Sequence, residues 1–127
     1  MKKRFRLRRH SEFQPAMSGQ RFHSGRALVG FAVPGSTAEN RVGVAMSKQI
    51  KGAVQRNRAR RRLREVARNC FLGPDSPLHR VGIRYDVVLI ARRRALEMSF
   101  AELKAEASLA ALRLAHMNAT IQPTNRL

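Results

Sequence analysis

Apolar residues recur along this chain with two periods, and the switches between them mark its elements. Ala59, Leu63, Val66 and Cys70 are spaced i, i+4, i+7 and i+11, one narrow stripe at 100° per residue. That spacing predicts a helix from about Val54 to Phe71, roughly 27 Å long at 1.5 Å per residue, docked by its apolar side. Residues 27–33 form a compact apolar run stopped by Pro34 and Gly35, which reads as a buried strand; Gly30 within it marks a bulge or a close approach. Residues 41–47 alternate and are expected to return as the second strand of a hairpin, across a turn at 36–40. Residues 85–91 are continuous and β-branched, the mark of a central strand.

Two stretches have the form of a capping box. Ser11-Glu12-Phe13-Gln14 predicts a short helix from Ser11 to Gly19, with Pro15 tolerable near its first turn. Ser99-Phe100-Ala101-Glu102 opens a last helix, whose apolar stripe is Phe100, Leu103, Ala107, Ala110, Leu114 and Met117. The order is α-β-β-α-β-α. It predicts an α/β two-layer sandwich, helices packed on a small central sheet. At 127 residues the chain is one domain, with a basic extended arm at 1–9 and a frayed tail at 118–127.

Charge changes the picture. The formal net charge is +18 and the pI is near 12, far beyond what solubility requires, so nucleic acid is the first expected partner and an acidic membrane surface the second. Seven arginines stand between Arg56 and Arg68, with Glu65 the one acid among them. Asn57, Arg61, Arg64 and Arg68 fall opposite the apolar stripe, and Arg60 flanks them. Like charges at i,i+3 and i,i+4 cost a few tenths of a kcal/mol per pair, so the helix accepts self-repulsion. A solvated face normally mixes signs. Guanidinium forks match phosphate oxygens bidentately, and a polyanion is the better explanation.

The usual catalytic and metal constellations do not form. The four histidines (His10, His23, His79, His116) are scattered, and Cys70 stands alone on the apolar stripe as a small hydrophobe. A lone cysteine fits a reducing cytoplasm. The eight Asp and Glu show no cluster of the kind a two-metal nuclease needs. No apolar run reaches the length of a membrane span, and the basic amino terminus lacks the apolar run of a secretory signal. Ser47 beside Lys48 reads as a hydrogen-bond donor to backbone or phosphate rather than a nucleophile. Three basic groups, namely the arm, the arginine helix with Lys48 and Lys51, and Arg92 to Arg94, are expected to converge on the sheet and hold RNA. Phe13, Phe22 and Phe31 are candidates for base stacking or for the core.

Arg41-Val42-Gly43-Val44, Ser47-Lys48, Ala53-Val54, Arg56-Asn57-Arg58, Arg60-Arg61 and Leu63-Arg64-Glu65 resemble the signature of the bacterial ribonuclease P protein component. The Lys2-Lys3-Arg4 arm, Glu12-Phe13 and the strand ending in Arg92 continue the resemblance over most of residues 2–115. It implies a protein subunit of a tRNA-processing ribonucleoprotein, an endonuclease (a hydrolase) that removes the 5′ leader from precursor tRNA. The catalytic RNA would carry the active site and its Mg²⁺, with no metal or cofactor bound by the protein alone and no small-molecule or membrane partner. It further implies that Lys48, Lys51, Arg56, Asn57, Arg58, Arg60, Arg61, Arg64 and Arg68 lie against the RNA subunit. A cleft between the first helix and the sheet would take the leader, with Phe13, Met17, Phe31, Arg4 and Arg6 beside it. The family's βαβ crossover is left-handed, against the usual rule. Met17 stands where the family commonly has an aromatic residue, and Gly30 falls near another such position.

Two alternatives follow from the residues themselves. One is a structural RNA-binding protein of ribosomal type with no link to cleavage, and the other an arginine helix reading the DNA major groove, which would show sequence preference through base contacts.

Overall fold

A computed structural model of the chain describes residues 2–117 in full and the backbone of 118–125; the frayed tail expected from Asn118 falls outside the fully described residues. In chain order the elements are α1 (His10–Met17), β1 (Gln20–Ser24), β2 (Leu28–Pro34), β3 (Arg41–Met46), α2 (Ala53–Val66), β4 (Tyr85–Ala91), α3 (Arg94–Glu97) and α4 (Phe100–Asn125). The architecture is the expected α/β arrangement of helices on one small sheet, with strand order β1-β2-β4-β3.

β4 is central, as its composition implies. Tyr85, Val87, Leu89 and Ala91 are buried on one face and Val88 on the other. A strand buried on both faces needs a neighbour on each edge, and this requirement overturns the expected hairpin of β2 with β3. β4 lies between them, antiparallel to β2 and parallel to β3. The true hairpin joins β2 to β1, a strand that the hydrophobic pattern does not reveal. Register shifts between Arg21 and His23, so Phe22 is an extra residue. The bulge turns both Phe22 and His23 inward, which destroys the period-two signal. Gly30 lies opposite: a Cβ there would stand 2.5 Å from the Phe22 ring, so the bulge and the close approach occur together.

α2 and α4 cover one face of the sheet. Ala59, Leu63, Val66 and Cys70 are all buried, as the stripe predicts, and the helix runs on through a π-helical turn, Ala67–Phe71. In α4, Leu103, Ala107, Ala110 and Leu114 are buried and Met117 packs at their edge, but Phe100 sits exposed at the rim. The Ser99–Glu102 capping box forms reciprocally, each side chain accepting from the other's N–H at 3.1 Å. Glu106 accepts from the Ala27 and Leu28 N–H groups (3.0 and 2.9 Å) and meets His23 Nε2 at 2.9 Å, tying α4 to the β1–β2 turn.

The short α1 covers part of the other face, burying Ala16 against a cluster of Val88 and Leu7. The arm is not the featureless extension expected. It makes one 3₁₀ turn at Lys3–Phe5, forms a parallel bridge between Arg6 and Val42, and buries Leu7, whose N–H donates to Val42 O at 3.2 Å. α1 starts one residue before Ser11, with Arg9 as its cap. Glu12 nevertheless performs its half of the box, accepting from the Arg8 and Arg9 N–H groups at 2.8 and 3.1 Å.

One guanidinium ties these parts together. Arg41 donates to both oxygens of Asp86 on β4 (3.0 and 2.8 Å) and to Glu12 at 2.9 Å. Its side chain is 13% exposed and that of Asp86 11%. The Arg8 and Arg9 amides, with Arg41, hold the Glu12 carboxyl down at about 2. Arg41→Ala is expected to destabilise the fold by about 3 kcal/mol, because it strands a buried carboxylate; equal denaturation midpoints for variant and parent would refute this. Glu12's pKa is depressed on folding, so its contribution is fully present above about 4.5 and disappears as pH falls toward 2. The Arg8 and Arg9 amide proton chemical shifts are therefore expected to titrate with the Glu12 carboxyl across that window and to stay level above it; shifts that do not move below pH 4.5 would refute the linkage.

Candidate nucleic-acid interface

The interface begins with the opposition of two faces on α2. With Ala59, Leu63 and Val66 pressed on the sheet, Asn57, Arg58, Arg61 and Arg68 are exposed, and Arg60 and Arg64 are half-buried on one flank. Among the described residues, Arg58 and Arg61 have no carboxylate partner, whereas Arg68 pairs with Glu65. Arg60 donates to Asn57 Oδ1 at 2.6 Å, which fixes that pair along the helix. Lys48 and Lys51 are exposed in the loop leading into α2, at the carboxyl end of β3.

Not every arginine here is free for a ligand. Arg56 turns back to donate to Ile50 O (2.8 Å) and Ser47 O (3.4 Å), holding the β3–α2 loop shut. Arg62 donates to Ala95 O at 3.0 Å and Met98 O at 2.5 Å, satisfying carbonyls at the end of α3. Burial, with Arg58 nearby, lowers the Arg62 pKa. Sequence period alone does not separate these anchoring side chains from outward ones, since their partners are backbone carbonyls brought close only by the fold.

The arm meets α2 at a cavity of about 220 Å³ lined by Arg6, Leu7, Arg8, Phe13, Val44 and Arg64. Three guanidinium groups share its wall with no carboxylate. The Arg64 Nε is buried without an acceptor, and burial, together with Arg6 and Arg60, lowers that side chain's pKa. A buried guanidinium N–H without a partner is rare enough to need a reason, and an anion supplies one. Arg4 instead stacks over the Phe5 ring, 4.8 Å from its centre.

Beyond α1 the sheet remains partly open. Val29 and Phe31 of β2, Ala45 of β3 and Ile90 of β4 share this face by register and are half-buried. Met17, 43% exposed, stands at the end of α1. Phe13 is half-buried over Gly43, where a Cβ would come within 2.5 Å of its ring. Phe13, Met17 and Phe31 thus belong to the side of the sheet that carries α1. Phe22 does not: it lies in the core, its ring 6.2 Å from that of Phe71. At the carboxyl end of β4, Ser47 N–H donates to Ala91 O and Arg92 N–H to Ala27 O, both at 2.8 Å, while the Arg92 guanidinium reaches Ser24 Oγ at 2.9 Å. The arginines at 92–94 therefore stand beside the loop of Lys48 and Lys51. The three basic groups therefore do not converge at one place on the sheet: the arm lies against α2 at Arg64, and the 92–94 cluster stands near the helix start.

Among the described residues no three His, Cys, Asp or Glu side chains gather to hold a metal ion, and no helix is long and apolar enough to cross a membrane.

The family described as Ribonuclease P matches residues 1–115. A ribonuclease P protein component from Symbiobacterium thermophilum is 40% identical over 105 residues, covering 82% of this chain and 85% of the relative. One from Dehalococcoides mccartyi is 36% identical over 104 residues, covering 82% and 79%. Among solved structures, the RNase P protein of Staphylococcus aureus matches with a TM-score of 0.65 at 23% identity, over 87% of this chain and 94% of that one. The protein of Thermotoga maritima matches at 0.61 and 20% identity, over 80% and 89%. These structures speak for the shared fold, while the sequence matches carry the family. Its open cationic helix and its relatives together place the chain in the ribonuclease P protein family, as the protein subunit of the endoribonuclease that processes the 5′ end of precursor tRNA.

Proposed function

We propose that the exposed face of α2 holds the RNA subunit and that the partly open sheet face beside α1 holds the single-stranded leader of precursor tRNA. The observation that carries this reading is the outward row on α2, in which Arg58 and Arg61 have no carboxylate partner among the described residues, fixed by the apolar stripe beneath it. In this reading Arg58, Arg60, Arg61, Arg64 and Arg68, with Asn57, Lys48 and Lys51, contact RNA phosphates. Arg56 serves the same interface indirectly, by shaping the loop that presents Lys48 and Lys51. Phe13, Met17 and Phe31 offer the leader two rings and a polarizable thioether, which adapts to unlike bases. Arg6 draws the leader's phosphates toward the arm, and Arg4 adds charge at its rim.

The protein's part in the reaction is then electrostatic and positional. A catalytic RNA must fold against its own charge and bind a second polyanion, and a subunit of formal charge +18 reduces both repulsions. We assign Mg²⁺ to the RNA subunit. Most of the protein's carboxylates are committed elsewhere: Glu12 and Asp86 to Arg41, Glu106 to backbone N–H groups, Glu65 to Arg68 and Glu102 to its cap.

Arg58→Ala and Arg61→Ala are each expected to weaken assembly with a bacterial ribonuclease P RNA and to reduce the salt slope by about 0.9. An unchanged slope in both variants, measured by filter binding across a salt series, would sink the assignment. Phe31→Ala is expected to weaken binding of leader-bearing precursor tRNA by the holoenzyme, by the roughly 1–3 kcal/mol of one stacked base, and to leave RNA-subunit assembly unchanged. Equal loss with leaderless tRNA would remove Phe31 from the leader site.

A further inference from the structure

The largest cavity described lies away from both surfaces, at the carboxyl end of α2. It measures about 500 Å³, within the roughly 300–1,000 Å³ of small-ligand pockets. Its cations come from three separate parts of the chain: Arg68 after α2, Arg80 in the loop before β4, and Lys104 on α4. Asp75 is the one acid among the lining residues. Pro74, Pro77 and Leu112 supply apolar wall, with Leu112 still 44% exposed.

Two features of the backbone shape this cavity. The helix leaves α geometry for a π-helical turn at Ala67–Phe71, and three consecutive residues of that turn, Arg68, Asn69 and Cys70, line the wall. Such turns occur frequently at functional sites, because they re-aim side chains that a regular helix would distribute. The loop then doubles back at Gly73, where a Cβ would lie 2.6 Å from Asn69 O, so a side chain there would force the loop away from the helix end.

We propose that this cavity receives one nucleotide of the RNA docked along α2, its phosphate facing Arg80 and Lys104 and its base lying against Pro74, Pro77 and Leu112. The proposal rests on α2 being the RNA interface. Arg68 belongs both to the outward row of α2 and to the cavity wall, so a strand tracking the arginines arrives at this opening. Cations alone would suit any anion. Apolar walls with the amide of Asn69, which also bonds Glu65, and the hydroxyl of Ser108, 3.3 Å from Cys70 Sγ, suit a base attached to it, and a base has donors and acceptors on its edge for both.

The test uses the full-length chain with adenosine 5′-monophosphate, uridine 5′-monophosphate and inorganic phosphate as probes, followed by amide NMR. Both side chains of the variant R80A/K104A are exposed, so its fold is expected to persist. Either nucleotide is expected to shift the Asn69, Ser108 and Leu112 resonances in the parent, and neither to do so in the variant. The variant is also expected to bind ribonuclease P RNA about tenfold more weakly, the equivalent of one lost charge-assisted hydrogen bond. Equal shifts from inorganic phosphate would overturn the nucleotide, and so would nucleotide shifts that persist in the variant. Full RNA affinity in R80A/K104A, beside reduced affinity in Arg58→Ala, would overturn the cavity's role while keeping the helix as interface. Full affinity in Arg58→Ala would instead count against the helix reading, and the nucleotide shifts are read independently of it.

Discussion

Everything this protein presents to RNA depends on one imbalance on α2, between apolar burial and like-charge repulsion. Leu63 and Val66 are fully buried, each contributing roughly 1.5–3 kcal/mol, and Ala59 and Cys70 extend the same stripe. Each arginine pair at i,i+3 or i,i+4 costs only a few tenths of a kcal/mol. Burial therefore wins, and it fixes the rotation of the helix about its axis. A cationic face with a fixed rotation has a defined geometry toward phosphate, which a flexible basic tail lacks. The sheet supplies the floor for this arrangement, and β4 supplies the sheet with its centre.

The arginines divide by what answers their charge. Arg41, Arg56, Arg62 and Arg92 are consumed internally, by carboxylates, backbone carbonyls or a hydroxyl. These hydrogen bonds place loops and the arm around α2. Arg58 and Arg61 are left outward, and Arg64 is left with a buried N–H lacking an acceptor. The most strongly tied of these groups, Arg41, links α1, where the arm ends, to β3 and β4 through two carboxylates. The arm's cations and the α2 cations consequently meet at a fixed seam.

How much of this was legible in the sequence follows from which signals were local. The α2 stripe, the continuous β4 run and the Ser99–Glu102 cap each lie within one element, and each formed where the spacing placed it. β1 was hidden because its bulge sets Phe22 and His23 side by side indoors, which no alternating template accepts. The hairpin of β2 with β3 failed for a non-local reason: a strand apolar on both faces claimed the place between them. That claim was written in residues 85–91, but nearness in sequence favoured the wrong partner. At the site, angle alone placed Asn57, Arg61 and Arg68 outward but missed Arg58, and it set Arg64 outward although that side chain is half-buried with its Nε covered. The anchoring roles of Arg56 and Arg62 were not readable, because their acceptors, Ile50 O and Ala95 O, belong to a loop and to another helix.

The same imbalance sets what assembly does to the protein. A chain of formal charge +18 folds against its own field, since that figure already counts every carboxylate against the 26 lysines and arginines. Repulsion among outward guanidinium groups destabilises the free subunit and vanishes when phosphates lie between them. Anything that binds the folded state and not the unfolded one stabilises it by linkage, so an RNA docked on the cationic helix would stabilise the fold as well. Replacing its arginines with a balanced surface would relieve the isolated chain, and would remove the field that steers it to RNA.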